Sequence, residues 1–296
     1  TDTEVQQLLF SDSTAAATLS GYQRTFNSNG FTDSYGWSSG NEIASWTFRK
    51  APKFFDVVTY NGNGSTQTIS HNLGSVPGMI MVKRLNSSRD WAVYHRSLGN
   101  GQAMKLNDDS EARGFAGWGY TTPTSSEFYL GNDSDVNNAA GTYVAYLFAH
   151  DDQSFGTNED EAIIKCGRYT GNGSSTGPSI NLGFEPQWLL YKHADGTDQW
   201  EIIDMMRGMP SYNQYGNASQ MSILRANLDG AELVDNPTEP TPTGFNIMNG
   251  GGSNNDNAST YIYMAIRRPH KTPTDGTEVF DVGLRSGSGS TVTTNS

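Results

Sequence analysis

The chain has 296 residues, of which 35% are hydrophobic and 17% charged, and its formal net charge at pH 7 is −12. A protein this acidic repels phosphate backbones, which argues against a nucleic-acid partner. No stretch reaches the roughly 18 apolar residues of a membrane-spanning helix, so no membrane insertion is expected.

The composition predicts an all-β chain. The sequence contains 14 Tyr, 13 Phe and 6 Trp, together with 33 glycines. Aromatic side chains can fill a core, and turn formers between aromatic and β-branched residues favour short strands joined by tight turns. The single cysteine, Cys166, excludes an intramolecular disulfide and a cysteine-based zinc site. Its apolar neighbours indicate a buried thiol in a strand.

Residues 1–52 are predicted to be the second half of a module whose complete copies follow. Asn29-Gly30-Phe31 parallels the later segment around Phe128, and Glu42-Ile43-Ala44 parallels the one around Tyr143. Such self-similarity is the mark of a repeat architecture.

The first complete module spans residues 53–155. Strands are predicted at 54–60, 66–69, 79–82, 92–94, 128–130 and 143–148, because these runs are rich in aromatic and β-branched residues and are separated by turn formers. The uninterrupted apolar run at 79–82 indicates a strand covered on both faces. Gly62-Asn-Gly64 lies between two predicted strands and is interpreted as a hairpin turn rather than a phosphate-binding loop.

The loop Phe115-Ala-Gly-Trp-Gly-Tyr120 carries candidate binding residues. It is rich in glycine and lacks strand alternation, and binding surfaces often lie on such loops. The flat rings of Trp118 and Tyr120 can cover the apolar face of a sugar. The alternative is that these rings fill the end of the fold.

The loop Asp133-Ser-Asp-Val-Asn137 begins like a calcium-binding loop. Asn138 and Val144 then stand where an EF-hand needs glycine and a bidentate acid. An ordinary loop of Asx turns is the alternative for Asp133 and Asp135, and no metal site is predicted.

The second complete module spans residues 156–270. Tyr60 and Trp91 recur as Tyr169 and Trp200 at one offset of 109 residues. The second half recurs with about nine extra residues, placed at 236–243 and expected to form an extended, proline-rich loop. The loop around Tyr212 and Tyr215 is a weaker counterpart of the Trp118 loop. Residues 271–296 are predicted to begin a further module or a linker.

No catalytic constellation stands out, so the chain is predicted not to be an enzyme and to need no cofactor. The five histidines share no ligand spacing, and His71 and His95 align with Ile180 and Asp204 in the second copy. A catalytic or metal role kept in both copies is therefore excluded for these positions. Carboxylates such as Asp90 have no distinguishing context, which leaves a polysaccharide hydrolase open.

Six to eight short strands in about 109 residues predict tandem β-sandwich or jelly-roll-like modules. The motifs also resemble a repeated β-rich module found in virion proteins of tailed bacteriophages, especially phages of marine bacteria and cyanobacteria. The segments that carry the resemblance are Val57-Val-Thr-Tyr-Asn-Gly-Asn-Gly-Ser65, Ser70-His-Asn-Leu-Gly74, Trp91-Ala-Val-Tyr-His-Arg96, Phe128-Tyr-Leu-Gly-Asn-Asp-Ser-Asp135, Gly141-Thr-Tyr-Val-Ala145 and Ala44-Ser-Trp-Thr-Phe-Arg-Lys50.

The resemblance implies a virion structural protein, in a tail fibre, a spike or a capsid-associated appendage. It also implies assembly in the host cytoplasm, self-association (a trimer is the common arrangement), contacts with other virion proteins and contact with a host surface glycan. Because the shared motifs are turns and core aromatics, it transfers no functional residue. Two alternatives remain open: a lectin-like carbohydrate-binding module and a polysaccharide-degrading tail enzyme.

Overall fold

A computed structural model describes residues 7–19, 24–27, 30–33, 43–156, 158–207, 221–235, 237–248 and 251–267. Its strands, in chain order, are β1 (Gln7–Leu8), β2 (Thr18–Leu19), β3 (Arg24–Asn27), β4 (Gly30–Asp33), β5 (Phe55–Asn61), β6 (Gln67–Ser70), β7 (Met79–Arg84), β8 (Ala92–His95), β9 (Gln102–Lys105), β10 (Arg113–Gly114), β11 (Glu127–Leu130), β12 (Thr142–Phe148), β13 (Ile164–Thr170), β14 (Ser179–Asn181), β15 (Pro186–His193), β16 (Glu201–Asp204), β17 (Met221–Arg225), β18 (Leu233–Asp235), β19 (Thr238–Thr241), β20 (Gly244–Ile247) and β21 (Thr260–Arg267). Three short 3₁₀ helices are η1 (Ala116–Trp118), η2 (Met205–Arg207) and η3 (Gly252–Asn254).

The predicted all-β class is confirmed, and each complete module contains one large and one small antiparallel sheet. The large sheets have the strand orders β10-β9-β8-β7-β12-β5 and β13-β21-β15-β16-β17-β18. The small sheets are β11-β6 and β14-β20-β19. No helix in the described ranges is both long and apolar enough to cross a membrane.

The two modules share one hydrophobic core. A single cluster of buried side chains contains Met79, Val93 and Leu147 from the first module and Leu190 and Met264 from the second. A second cluster fills the space between the large and small sheets of the second module. The large sheet of the second module is therefore buried on both faces, and the modules form one packed unit.

The apolar run in β7 is buried as its sequence predicted. Met79, Ile80 and Val82 are each at most 1% exposed. The interior of the sandwich covers one face of this strand, and packing towards the second module covers the other. Burial on both faces explains why the strand lacks the alternation of a half-exposed strand.

The extra residues of the second module form a strand instead of the expected extended loop. β19 pairs with β20 and lies at the outer edge of the small sheet. An edge strand needs hydrogen bonds on one side only, so it tolerates Pro240, which has no backbone N–H.

Residues 43–50 of the N-terminal region are docked on the two complete modules. The Phe48 ring lies 5.5 Å from Phe55 and 6.0 Å from Trp188, between centroids. Residues 43–50 form no strand. In the complete modules the matching segment is a central strand flanked by two neighbours. The described strands of residues 1–52 pair only with each other, β1 with β2 and β3 with β4. The reading of residues 1–52 as half a module stays a prediction, and residues 271–296 lie outside the described ranges.

Candidate functional site

The residues shared by the two modules build a stacked tyrosine pair. In the first module the rings of Tyr60 and Tyr143 lie 5.2 Å apart at an interplanar angle of 13°. In the second, Tyr169 and Tyr261 lie 4.9 Å apart at 9°. The Tyr60 hydroxyl donates to the Val136 carbonyl at 2.8 Å. Burial raises the pKa of all four phenols, so they stay neutral hydrogen-bond donors.

A buried asparagine in each module holds the Gly-Asn-Gly turn. Asn137 Oδ1 accepts from the Asn63 backbone N–H at 2.8 Å, and its Nδ2 donates to the Ser65 carbonyl. Asn255 makes the same two bonds to the turn at 172–174 in the second module. Both asparagine side chains are essentially unexposed, so these bonds replace water completely.

The Gly-Asn-Gly turn links the large sheet to the small one, so its interpretation as a hairpin was wrong. β5 pairs with β12, while β6 pairs with β11. A Cβ atom at Gly62 would overlap the Asn138 carbonyl oxygen, and one at Gly171 would overlap that of Asp256. The glycines are required because two backbones meet there, which is a structural role.

A fully buried lysine at matching positions closes the loop after β7 and after β15. The Lys83 ammonium donates to the carbonyls of Thr14, Arg84 and Arg89 at 3.0–3.1 Å. The Lys192 ammonium donates to the carbonyls of His193 and Gly196. Burial lowers the pKa of both groups, that of Lys192 to about 8.

The two described candidate aromatic residues, Trp118 and Tyr120, differ in their exposure to solvent. Trp118 is 2% exposed and packs edge-on against Tyr94 and Phe115, with centroids at 5.9 and 5.3 Å. Its interpretation as an exposed sugar-stacking ring was therefore wrong, because the ring fills the end of the core. Tyr120 is 67% exposed. Tyr212 and Tyr215 lie outside the described residues.

The loop at 133–137 uses its oxygens within the protein. Asp133 Oδ1 accepts from the Asp135 N–H at 2.8 Å, which is an Asx turn. The Asp135 carboxylate pairs with Arg113 at 2.9 Å. Burial raises the pKa of Asp135, with a further contribution from Asp133. These contacts favour the ordinary polar loop over a cation site.

A groove of about 1680 Å³ lies between the N-terminal segment and the second module. We call it the Trp46 groove. The polar side chains that line it include Trp46, Asp204, Arg207 and Glu232, which come from separate parts of the chain. Trp188 forms part of its wall, and the Trp188 Nε1–H has no hydrogen-bond partner among the described residues.

Arg207 organises the polar side of the Trp46 groove. Its Nε lies 2.7 Å from Asp204 Oδ2, and its Nη1 lies 2.8 Å from Glu232 Oε1. Its guanidinium also lies over the Trp46 ring, 5.2 Å from the centroid. The Trp46 Nε1–H donates to Asp204 Oδ2 at 3.1 Å. An aromatic ring, two carboxylates and a guanidinium thus meet along one concave surface.

Two of the histidines serve the contact between the modules. His95 Nε2 lies 3.1 Å from the Tyr263 carbonyl, and burial lowers the pKa of His95 to about 4. His150 Nδ1 accepts from the Cys166 N–H, and burial together with Arg96 lowers the pKa of His150 to about 4. Cys166 is itself buried, as predicted, and its thiol lies 3.6 Å from the Ala149 carbonyl. These histidines are neutral at physiological pH and structural in role.

Sequence reasoning missed the Trp46 groove because its members are distant in the chain. Trp46 and Asp204 are 158 positions apart. The sequence shows Trp46 only within the motif at 44–50, and Asp204 only as the counterpart of His95. The repeat did contain one indication of a site. Because Asp204 aligns with His95, this carboxylate is present in the second module and absent from the first.

Comparison with known proteins gives a family and no named relative. No curated protein and no solved structure matches the chain. The sequence model of one family matches residues 3–269, a range that includes the N-terminal segment and both modules. Within the described part of this range, the shared core joins the two modules, and the packing of Phe48 joins the N-terminal segment to them. The chain therefore belongs to the family described as "Domain of unknown function (DUF7483)".

Proposed function

We propose that the protein is a non-enzymatic structural component of a bacteriophage virion, in a fibre, spike or shell-associated appendage that faces the host. One observation carries this proposal: the side chains repeated in both modules build the scaffold. They are the stacked tyrosines, the buried asparagine, the glycines of the turn and the buried lysine. A duplicated catalytic site would instead repeat its acids, bases or nucleophiles.

The packing of the two modules against each other is that of a rigid structural protein. Two sandwiches that share a core cannot pivot about a linker, so they keep a fixed geometry. The loops that emerge from this scaffold differ between the copies, which is how a repeated fold presents different contact surfaces.

Self-association is part of the proposal, and an exposed sheet edge supports it. β18 is the outermost strand of the second large sheet, and Leu233 and Val234 on it are 40% and 58% exposed. Exposed apolar side chains on the outermost strand of a sheet favour pairing with another chain. We expect a homo-oligomer, with a trimer as the arrangement suggested by the phage resemblance.

The test is to locate the chain in purified particles. Antibodies raised against it should label virions in immunogold electron microscopy, and mass spectrometry should find it at a fixed copy number per particle. Light scattering on the purified protein should give an oligomer. Absence from washed particles would overturn the structural assignment. Release of reducing ends from host polysaccharide, abolished by one carboxylate substitution, would overturn its non-enzymatic part.

A second candidate function is glycan binding in the Trp46 groove. The supporting observation is the convergence of the Trp46 ring with Asp204, Arg207 and Glu232. Carboxylates and a guanidinium hydrogen-bond sugar hydroxyls, while an indole covers the apolar face of the ring.

Trp46→Ala should weaken binding to a glycan identified on an array at least about tenfold, because aromatic anchors dominate binding energies. Isothermal titration calorimetry measures the change. Phe26→Ala is the matched control, since it removes an aromatic ring that is 70% exposed and does not line the groove. An array without any bound glycan, or equal affinity in Trp46→Ala and wild type, would rule the groove out as a glycan site.

A further inference from the structure

Four ionisable side chains converge at one end of the second module. One ligand atom from each of His193, Asp198 and Asp256 lies within 4.8 Å of the others. Asp195 Oδ1 lies 3.1 Å from His193 Nε2, and Asp198 Oδ2 lies 2.6 Å from His193 Nδ1. The imidazole therefore has a carboxylate beside each ring nitrogen.

His193 is buried and incompletely satisfied. The residue is 5% exposed, and its Nε2 has no hydrogen-bond partner among the described residues. The nearby Asp195 oxygen is close enough for a hydrogen bond but not in line with one. A buried polar atom without a hydrogen bond calls for an explanation, and a bound ion is one.

The surrounding backbone and aromatic side chains fix the orientation of the imidazole. Its ring stacks on Tyr261, with centroids 4.6 Å apart. On the loop side, a Cβ atom at Gly196 would overlap the imidazole, so the loop backbone lies directly against the ring. A histidine held in this way is preorganised as a ligand.

In the first module the position equivalent to His193 is occupied by an arginine, Arg84. β7 and β12 pair Arg84 with Tyr143, and β15 and β21 pair His193 with Tyr261, so Arg84 and His193 are equivalent. Arg84 is 8% exposed, and its Nε donates to Asn86 Oδ1 at 3.0 Å.

The hydrogen bonds confirm this equivalence beyond the sequence offset. Asn86 Oδ1 accepts from the Thr142 N–H in the first module, and Asp195 Oδ1 accepts from the Thr260 N–H in the second. The remaining equivalent pairs, from first module to second, are Arg89 with Asp198 and Asn138 with Asp256.

The charge of this place is thus reversed between the modules. The first has two arginines and two neutral amides, while the second has three carboxylates and an imidazole. Three carboxylates around one imidazole repel each other, and a positive charge among them relieves this repulsion.

We propose that the second module binds a divalent transition-metal ion through His193, Asp198 and Asp256, in the place that the Arg84 guanidinium fills in the first module. Asp195, whose Oδ1 lies 3.1 Å from His193 Nε2, adds a further negative charge beside the ion. One imidazole with carboxylates suits Zn²⁺, and Zn²⁺ exceeds Mn²⁺ in general affinity. Ca²⁺ and Mg²⁺ prefer all-oxygen sites.

The ion would join parts of the fold that are distant in sequence. Asp256 precedes β21, and Asp198 lies in the loop after β15, where its N–H donates to the Asp109 carbonyl of the first module at 3.0 Å. A bound ion would therefore strengthen the contact between the modules, and binding to the folded state alone would raise the melting temperature.

The experiment uses the full chain, stripped with a chelator and titrated with ZnCl₂. Calorimetry should show one ion per chain, and the melting temperature should rise with Zn²⁺ by a few degrees, with weaker effects of Mn²⁺ and weaker still of Ca²⁺. Asp198→Asn and Asp256→Asn should each lower Zn²⁺ affinity at least about tenfold. Asp256→Asn is expected to fold, since Asn138 occupies the equivalent position in the first module.

Asp133→Asn is the matched control, because it removes a carboxylate from a polar loop of the first module and should leave Zn²⁺ binding unchanged. Unsaturable weak binding, equal affinity in wild type and both site variants, or Ca²⁺ bound more tightly than Zn²⁺ would each overturn the proposal.

Discussion

Replacing the buried lysine of the second module, Lys192→Met, should lower the free energy of unfolding by about 2–4 kcal/mol, because it leaves buried carbonyls without donors. The ammonium holds the carbonyls of His193 and Gly196 at 2.7 and 3.1 Å. Methionine fills the same volume but donates no hydrogen bond. Lys83→Met should cost at least as much, since that ammonium also holds Thr14 of the N-terminal segment at 3.1 Å.

Lys105→Met is the matched control for both variants. Lys105 pairs with Asp90 and Asp108 at 3.0 and 3.1 Å, with its side chain 26% exposed. Ion pairs that water can reach contribute about 1 kcal/mol or less. Chemical denaturation followed by tryptophan fluorescence should thus separate the variants, and a loss in Lys192→Met no larger than in Lys105→Met would contradict the assigned role.

The depressed pKa of Lys192 adds a pH dependence with a definite sign. Burial lowers this pKa from its ordinary 10.5 to about 8. Below about pH 8 the folded protein bears the full cost of the buried charge. Between about 8 and 10.5 the folded state has released the proton that the unfolded state still binds, so this lysine's contribution to stability increases with pH. The stability difference between wild type and Lys192→Met should widen from pH 8 to 10.

The sequence was sufficient to predict the fold class and the duplication because both depend on local patterns. Strand-forming runs and the constant offset between Tyr60 and Tyr169 need no knowledge of long-range contacts. The apolar run in β7 even indicated burial on both faces, which the structure confirms. The partner of each strand was not predictable in the same way. The turn at Gly62 leads to a different sheet because Asn137, more than 70 positions away, holds it.

The functional candidates were harder to predict because they depend on burial and on contacts across the chain. Lys83 and Lys192 matched in the repeat, but a lysine is normally exposed, so its burial was not anticipated. The offset of 109 residues aligns Arg84 with His193. The sequence alone does not show that these two side chains occupy equivalent places in the fold, so the reversal of charge could not be interpreted. The Trp46 groove required the N-terminal segment to be docked on the second module.

Trp118→Ala should lower the free energy of unfolding by about 3–5 kcal/mol, the usual cost of truncating a large buried aromatic side chain. The ring is 2% exposed and packs against Tyr94 and Phe115, so its loss leaves a cavity that these neighbours cannot fill. Trp118→Phe should lower the free energy of unfolding by clearly less than Trp118→Ala. The Trp118 Nε1–H has no hydrogen-bond partner among the described residues. Replacement by phenylalanine therefore reduces the volume of the buried side chain but removes no hydrogen bond.

Tyr120→Ala, two positions further on, should change the free energy of unfolding by no more than about 0.5 kcal/mol, because its ring is 67% exposed. Denaturation of the three variants under one set of conditions measures the contrast. A stable Trp118→Ala variant that has lost affinity for a glycan would show that the ring binds ligand, and would reopen the loop at 115–120 as a sugar site. A destabilised variant would instead explain why this glycine-rich, aromatic segment resembles a binding loop: Gly117 and Gly119 let the chain turn tightly enough to bring the indole into the core.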